Sequence, residues 1–338
     1  MLIVFRFDAS PAIGGGHAVR CGALAAELSR QGHACGFAAN DAGADIAIAN
    51  MPNADVLRLS GDDEAAAMKT KWPDGADWLV VDHYGRDVSF EISCKGWSRS
   101  ILAVDDLPTR PHSADILVDQ TLDRMQAEYR GLVNADCKVL AGSEYTLLRD
   151  EFSALRPVAL ARRVTLPPLP RIVISFGTSD PGKATLRVLA ALQRVTHPIS
   201  IDVLVGRLCP HLGEIEAAIR NDARTSLTVD PVSMAQHFVD ADIAIGAPGM
   251  TSWERACLGL PSVVIPVVDN QVDNAAALGR RGAVAVLPVI ERVTEQEIAS
   301  ALLSLLDQPS RWQAMSVAAA RVVDGDGVKR VSRAMIGA

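Results

Sequence analysis

Three glycine-bearing loops carry the residues of this 338-residue chain best suited to chemistry. The first is Gly14-Gly15-Gly16-His17, followed by Arg20. Glycines between a strand and a helix open backbone N–H groups to an anion at the positive end of the helix dipole. His17 adds a general base, and a helix start disfavours imidazolium, which keeps the ring neutral and able to accept a proton. The same glycines suit a simple tight turn, and a dinucleotide fingerprint would need Gly where the chain has Val19. Asp8, at the end of the preceding apolar run, stands where it could orient the loop or His17. The second loop, Gly177-Thr178-Ser179-Asp180-Pro181-Gly182-Lys183, resembles a nucleotide-triphosphate loop, but Ala184 stands where a magnesium-binding Ser or Thr belongs. Asp180 would also put a carboxylate among the phosphates, so the segment reads as a turn whose N–H groups line a cleft.

The third loop is the most specific. Residues 242–246 (DIAIG) read as a strand, Ala247-Pro248-Gly249 as a loop, and Met250-Thr251-Ser252-Trp253-Glu254 as a helix start. Such a start suits a diphosphate, and Glu254, one turn inside, suits two ribose hydroxyls. Equally, Thr251 and Ser252 suit N-capping and Glu254 a capping box. Asn270, Gln271 and Asn274 follow as amides for sugar hydroxyls, though Asn274 fits a helix surface as well. Nearer the start, Tyr84 could wall a sugar site with His83 beside it; His83 also fits a strand end bonded to backbone. Asp82, His83, Asp105, Asp106 and His112 raise a metal hydrolase, but their spacing matches no ligand motif, so no metal or other cofactor is expected.

The elements that must position these groups alternate. Apolar runs at 2–7, 34–40, 78–81, 101–104 and 116–118 are separated by helical stretches, and the last three each end in an acid: Asp82, Asp105 or Asp119. That is the pattern of a parallel α/β sheet. Residues 156–170, with four prolines and three arginines, read as a linker. After it RIVISFGTSDPGKATLRVLAAL repeats the opening plan of apolar strand, Gly-containing loop and helix, and more strands follow at 200–205, 226–229, 242–246 and 262–266. The expected fold is two doubly wound Rossmann-like domains, 1–155 and 171–338, facing an interdomain cleft.

Composition narrows the partners. A hydrophobic fraction of 49% with 22% charged residues is that of a globular chain, and the length suits two domains. A net charge of −7 argues against nucleic acid, and 4% aromatics leave little for base stacking. Six scattered cysteines without a Cys-x-x-Cys pair fit buried thiols in a reducing compartment. The opening MLIVFRFDAS is too short and too soon charged for a signal peptide or membrane span, so a cytoplasmic protein with no membrane partner is expected.

Taken together, the motifs resemble a known family. The stretch from Gly249 to Gln271 is similar to the UDP-binding segment of GT-B nucleotide-sugar enzymes. Arg6-Phe7-Asp8, Ile13-Gly14-Gly15-Gly16-His17, Arg20-Cys21, Val80-Val81-Asp82-His83-Tyr84, Asp105-Asp106-Leu107, Glu144-Tyr145, Leu147-Leu148-Arg149 and Thr251-Ser252-Trp253-Glu254-Arg255 resemble, in order, the UDP-2,4-diacetamido-2,4,6-trideoxy-β-L-altropyranose hydrolases of pseudaminic acid biosynthesis. The chain departs from their usual pattern at Thr178, at Pro248 and Met250, and at Thr121, positions that touch the phosphate loops and the sugar pocket.

The resemblance implies a metal-independent hydrolysis of a UDP-sugar, with His17 as base. Ordinary glycosidases need two carboxylates because a sugar oxygen leaves poorly. UDP leaves as a stabilised anion, so one base for water and a donor-rich diphosphate site suffice. A glycosyltransferase sharing the donor site, and a non-catalytic nucleotide-sugar binder, are the rivals. A site built from both domains needs no second subunit, so a monomer is sufficient.

Overall fold

Buried strands alternate with helices to form two parallel sheets in the computed structural model, which describes residues 1–10, 14–51, 53–61, 63–177, 179–207 and 209–337. The chain divides into two units, Met1–Asp150 with Gly325–Ala338, and Glu151–Asp324.

The first unit runs β1 (Leu2–Phe7), α1 (Gly16–Arg30), β2 (Ala34–Ala39), α2 (Asp41–Asn50), β3 (Asp55–Arg58), α3 (Glu64–Lys71), β4 (Ala76–Asp82), α4 (Val88–Cys94), β5 (Ser98–Val104), β6 (Ile116–Asp119) and β7 (Lys138–Ala141). Its strands lie in the order β3-β2-β1-β4-β5-β6-β7, all parallel. With helices on its faces, a parallel sheet buries both sides, which is why β1 is apolar almost throughout. The exception, Arg6, is 1% exposed and compensated by Asp8 at 2.6 Å and Glu64 at 2.7 Å. Register pairs Phe7 with Asp82, so the carboxyl ends of β1 and β4 lie side by side. α1 packs Ala18, Cys21, Leu24 and Leu28 into the core and stops at Gly32, whose φ of +86° suits glycine.

The second unit runs α5 (Asp150–Arg162), β8 (Arg171–Ser175), α6 (Ala184–Leu192), β9 (Ser200–Val205), α7 (Leu212–Ile219), β10 (Thr225–Val229), α8 (Met234–Asp240), β11 (Ile243–Gly246), α9 (Met250–Cys257), β12 (Ser262–Val264), α10 (Val272–Arg280), β13 (Ala285–Val286), α11 (Glu295–Leu306) and α12 (Pro309–Ala320). The sheet order is β10-β9-β8-β11-β12-β13, again parallel. A last helix, α13 (Gly327–Ile336), returns to the first unit, packing Val328, Val331 and Met335 into its core.

Two expected boundaries therefore move. The C-terminal residues from 325 belong to the first unit, not to a domain ending at 338. The proline-rich stretch is helical as far as Arg162, with Pro157 inside α5. Its arginines explain this, because they clamp carbonyls at helix ends. Arg156 donates to Cys257, Ala320 and Val323, and Arg163 to Phe238 and Ala241. No helix is long and apolar enough to cross a membrane among the described residues.

Candidate active site

His17 is the second residue of α1 and is buried. Its N-terminal turn has no side-chain cap: the N-cap is Gly15, and Gly14 holds φ +79° while donating its N–H to the Ser10 carbonyl at 2.7 Å. These glycines leave the first N–H groups of α1 to outside acceptors. The His17 ring is held from below. Its Nδ1 lies 2.5 Å from Asp82 Oδ1, and Arg20 forks onto the same carboxylate through Nε and Nη2, each at 2.5 Å. Cys21 Sγ adds a contact at 3.5 Å. Burial would raise the Asp82 carboxyl, but the Arg20 charge, followed by His17, holds it well below the usual carboxylate range. Arg20 Nη2 also approaches Nδ1, at 3.2 Å, but the carboxylate at 2.5 Å is the nearer partner; it holds the proton on Nδ1 and leaves Nε2 as the accepting nitrogen.

Tyr84 stands against His17 edge-on, with ring centroids 5.3 Å apart. Its ring is 42% exposed, while its hydroxyl donates to Asp106, 3.0 Å from either oxygen. Burial, then the Asp106 carboxylate, pushes the phenol above its ordinary pKa, and burial raises Asp106. Arg110 lies 5.9 Å over the Tyr84 ring and donates to the Tyr84 carbonyl. Arg110 is set in turn by Asp105 at 2.8 Å, on the carboxylate that also receives His112 at 2.7 Å; Glu91 takes the other His112 nitrogen at 2.6 Å. His112 is thereby raised to about 9: burial opposes, and the bonds to Asp105 and Glu91 outweigh it.

His83 has both ring nitrogens engaged, Nε2 with Asp8 at 3.0 Å and Nδ1 accepting the Gly85 N–H at 2.8 Å. The backbone-bonded arrangement is thus the one the structure has. Asp8 binds Arg6, the Asn40 N–H and His83 rather than His17, because it ends β1 beside β4. Of Asp82, His83, Asp105, Asp106 and His112, only Asp105 and His112 meet one another; Asp82 is bound to His17, His83 to Asp8 and Asp106 to Tyr84, and no group of three or more His, Cys, Asp or Glu side chains able to hold a metal occurs among the described residues.

In the second unit the Gly249 loop leads into α9, again with glycine as N-cap and no side-chain cap. Thr251 and Ser252 do not cap: Ser252 turns its hydroxyl back to the Gly249 carbonyl, and Thr251 accepts from Arg255 Nη1 at 3.3 Å. Met250 opens the helix half-buried, and Glu254 is buried on it. Asn274 donates to the Pro248 carbonyl at 2.7 Å, and its buried Oδ1 has no partner among the described residues. Gln271 accepts the Val267 N–H at 3.0 Å, with its amide nitrogen 3.5 Å from where a Cβ on Gly249 would sit. Asn274 and Gln271 thus brace the loop, while Asn270 is exposed on the turn before α10.

Gly177 is exposed with φ +86°, and Thr178 lies outside the described residues. Asp180 is buried with φ +46° and accepts the Thr185 N–H at 3.0 Å, and Lys183 is tied to Glu214 at 2.7 Å. Three residues absent from the sequence-derived site emerge here: Asp82, Asp106 and Arg255. Asp82 and Asp106 were visible in the sequence as metal-hydrolase candidates and in the family motifs, but not as partners of His17 and Tyr84; the pairing of β4 with β1 places Asp82 at His17.

A glycosyltransferase family 28 C-terminal domain model matches residues 226–331. The chain is 24% identical to the spore coat polysaccharide biosynthesis protein SpsG of Bacillus subtilis over 60% of its own length, spanning 59% of that protein. It is 26% identical to the UDP-2,4-diacetamido-2,4,6-trideoxy-beta-L-altropyranose hydrolase of Campylobacter jejuni, covering 83% of this chain and 97% of that one. Among solved structures, Acinetobacter baumannii MurG superimposes with a TM-score of 0.71 at 17% identity, covering 100% of this chain and 99% of that one. The fold is the GT-B arrangement of two parallel-sheet α/β domains.

Proposed function

We propose that the protein hydrolyses a UDP-linked 2,4-diacetamido-2,4,6-trideoxy sugar to UDP and free sugar. The observation that carries this reading is the His17–Asp82–Arg20 array. His17 Nε2 takes a proton from water, and the water oxygen bonds to the anomeric carbon. The bond from that carbon to the phosphate oxygen breaks, its electron pair leaves with UDP, and a single displacement inverts the anomeric centre. Asp82 stabilises the imidazolium formed, and Arg20 keeps Asp82 ionised. The uncapped start of α9 supports a diphosphate role there, because free N–H groups and the dipole favour an anion. Glu254 is assigned to the ribose, and Tyr84 to the sugar. The likeness to the Campylobacter hydrolase over most of both chains supports the sugar class.

The family 28 match at 226–331 favours a second reading, transfer of the sugar to an acceptor hydroxyl by the same base. Incubation with the UDP-sugar alone separates the two. UDP release without acceptor is expected, and release that needs an added acceptor would replace hydrolysis with transfer.

A further inference from the structure

Arg255 on α9 is 1% exposed. A guanidinium taken out of water is costly unless a carboxylate meets it. Arg6 and Arg20 have theirs, in Asp8 with Glu64 and in Asp82. Arg255 has no ion pair among the described residues. Its Nη2 donates to the Ala247 carbonyl at 2.9 Å, its Nη1 to Thr251 Oγ1 at 3.3 Å, and its Nε has no partner. Burial pulls its pKa down to about 10, with neighbouring Glu254 opposing.

Its place on the helix makes this more telling. Buried Arg163 also lacks an ion pair among the described residues, but it sits on the carbonyls of Phe238 and Ala241 at the C-terminal end of α8, where the dipole welcomes a cation. Helical side chains lean toward the N-terminus, so Arg255 brings its charge to Ala247 and Thr251, at the positive end of α9. Two positive features share one spot with no carboxylate in ion-pair contact among the described residues; Glu254, next along α9, acts on Arg255 only through its charge. The strand end is shaped around them: a Cβ on Gly246 would lie 2.8 Å from Arg255 Nη1. Thr251 Oγ1 accepts from Arg255, so its own hydrogen must point elsewhere, and nothing accepts it among the described residues.

We propose that Arg255 is a positioning residue for the diphosphate: its buried charge lies beneath the Ala247–Gly249 loop, and its N–H fixes Thr251 so that the threonine hydroxyl donates to a phosphate oxygen. This rests on the second unit being the UDP site. Titrations of wild type, Arg255→Met, Arg255→Lys and Thr251→Val with UDP and with uridine test it. Arg255→Met is expected to weaken UDP by about tenfold or more, while uridine changes less than about threefold. Arg255→Lys should recover part of the loss, and Thr251→Val should lose UDP affinity selectively without touching the buried charge. Unchanged UDP affinity in both Arg255→Met and Thr251→Val, or equal losses for UDP and uridine, would overturn the proposal. Wild type that binds no UDP would instead refute the UDP-site reading itself. If Arg255→Met does not fold, Thr251→Val decides between these outcomes.

Discussion

Replacing Asp82 by Asn removes one charge and keeps the shape. Arg20 meets both carboxylate oxygens, and His17 meets one of them. An amide offers a single accepting oxygen, so its NH2 must face a donor in either orientation. With NH2 toward Oδ1, His17 Nδ1 has to become an acceptor, which moves the ring proton to Nε2 and removes the base. With NH2 toward Oδ2, Arg20 Nε–H faces another donor in a fully buried site. Exchanging carboxylate for amide in a carboxylate–histidine pair costs on the order of 10⁴ in turnover, about 5 kcal/mol at 1.36 kcal/mol per tenfold. The assay is kcat from released UDP, beside the Kd for UDP and the thermal midpoint. Turnover should fall by about 10³ to 10⁴, with UDP affinity within about threefold of wild type, since the diphosphate is assigned to the second unit. Combined with His17→Ala, it should cost nothing beyond His17→Ala alone. A folded Asp82→Asn protein with turnover within tenfold of wild type would refute the reasoning.

Other outcomes follow from the same geometry. Tyr84→Phe keeps the ring beside His17 but removes the hydroxyl bound to Asp106; kcat should drop by about three- to tenfold with little loss of stability, read by steady-state kinetics and melting. His112 has a folded pKa of about 9 against an ordinary value of about 6.5. Its protonated form therefore stabilises the fold below pH 6.5, and that contribution is lost as pH rises toward 9. His112→Gln should flatten the melting temperature across that window, and an unchanged slope would count against the assignment. A Cβ at Gly246 would sit 2.2 Å from the Ser175 carbonyl, so Gly246→Ala should destabilise the protein by about 1–3 kcal/mol or more in denaturant unfolding.

Much of this was legible in the chain because parallel strands buried on both faces leave long apolar runs. Residues 2–7 and 200–205 match β1 and β9 to the residue. β3, half exposed, and two-residue β13 carry too little apolar pattern to be seen, and β7 is only four residues long. Prolines and arginines at 156–170 read as a linker because composition cannot show that the arginines grip helix ends elsewhere in the sequence. The glycine loops marked the helix starts; whether α9 was capped stayed open in the sequence, and the structure gives neither α1 nor α9 a side-chain cap. What spacing could not show was partnership across the sheet. Asp82 is 65 residues from His17 and reaches it only because β4 lies beside β1. Likewise, the sequence offered Arg255 only as the last residue of a family motif, and nothing in its spacing showed that it is 1% exposed.

The central claim is that water held by His17 attacks the anomeric carbon. Mass spectrometry of the products formed in ¹⁸O-labelled water from the UDP-sugar, with no acceptor present, tests it most directly. Label is expected in the free sugar, with unlabelled UDP and loss of both products in His17→Asn. Label in UDP, or sugar released at the wild-type rate by His17→Asn, would contradict it.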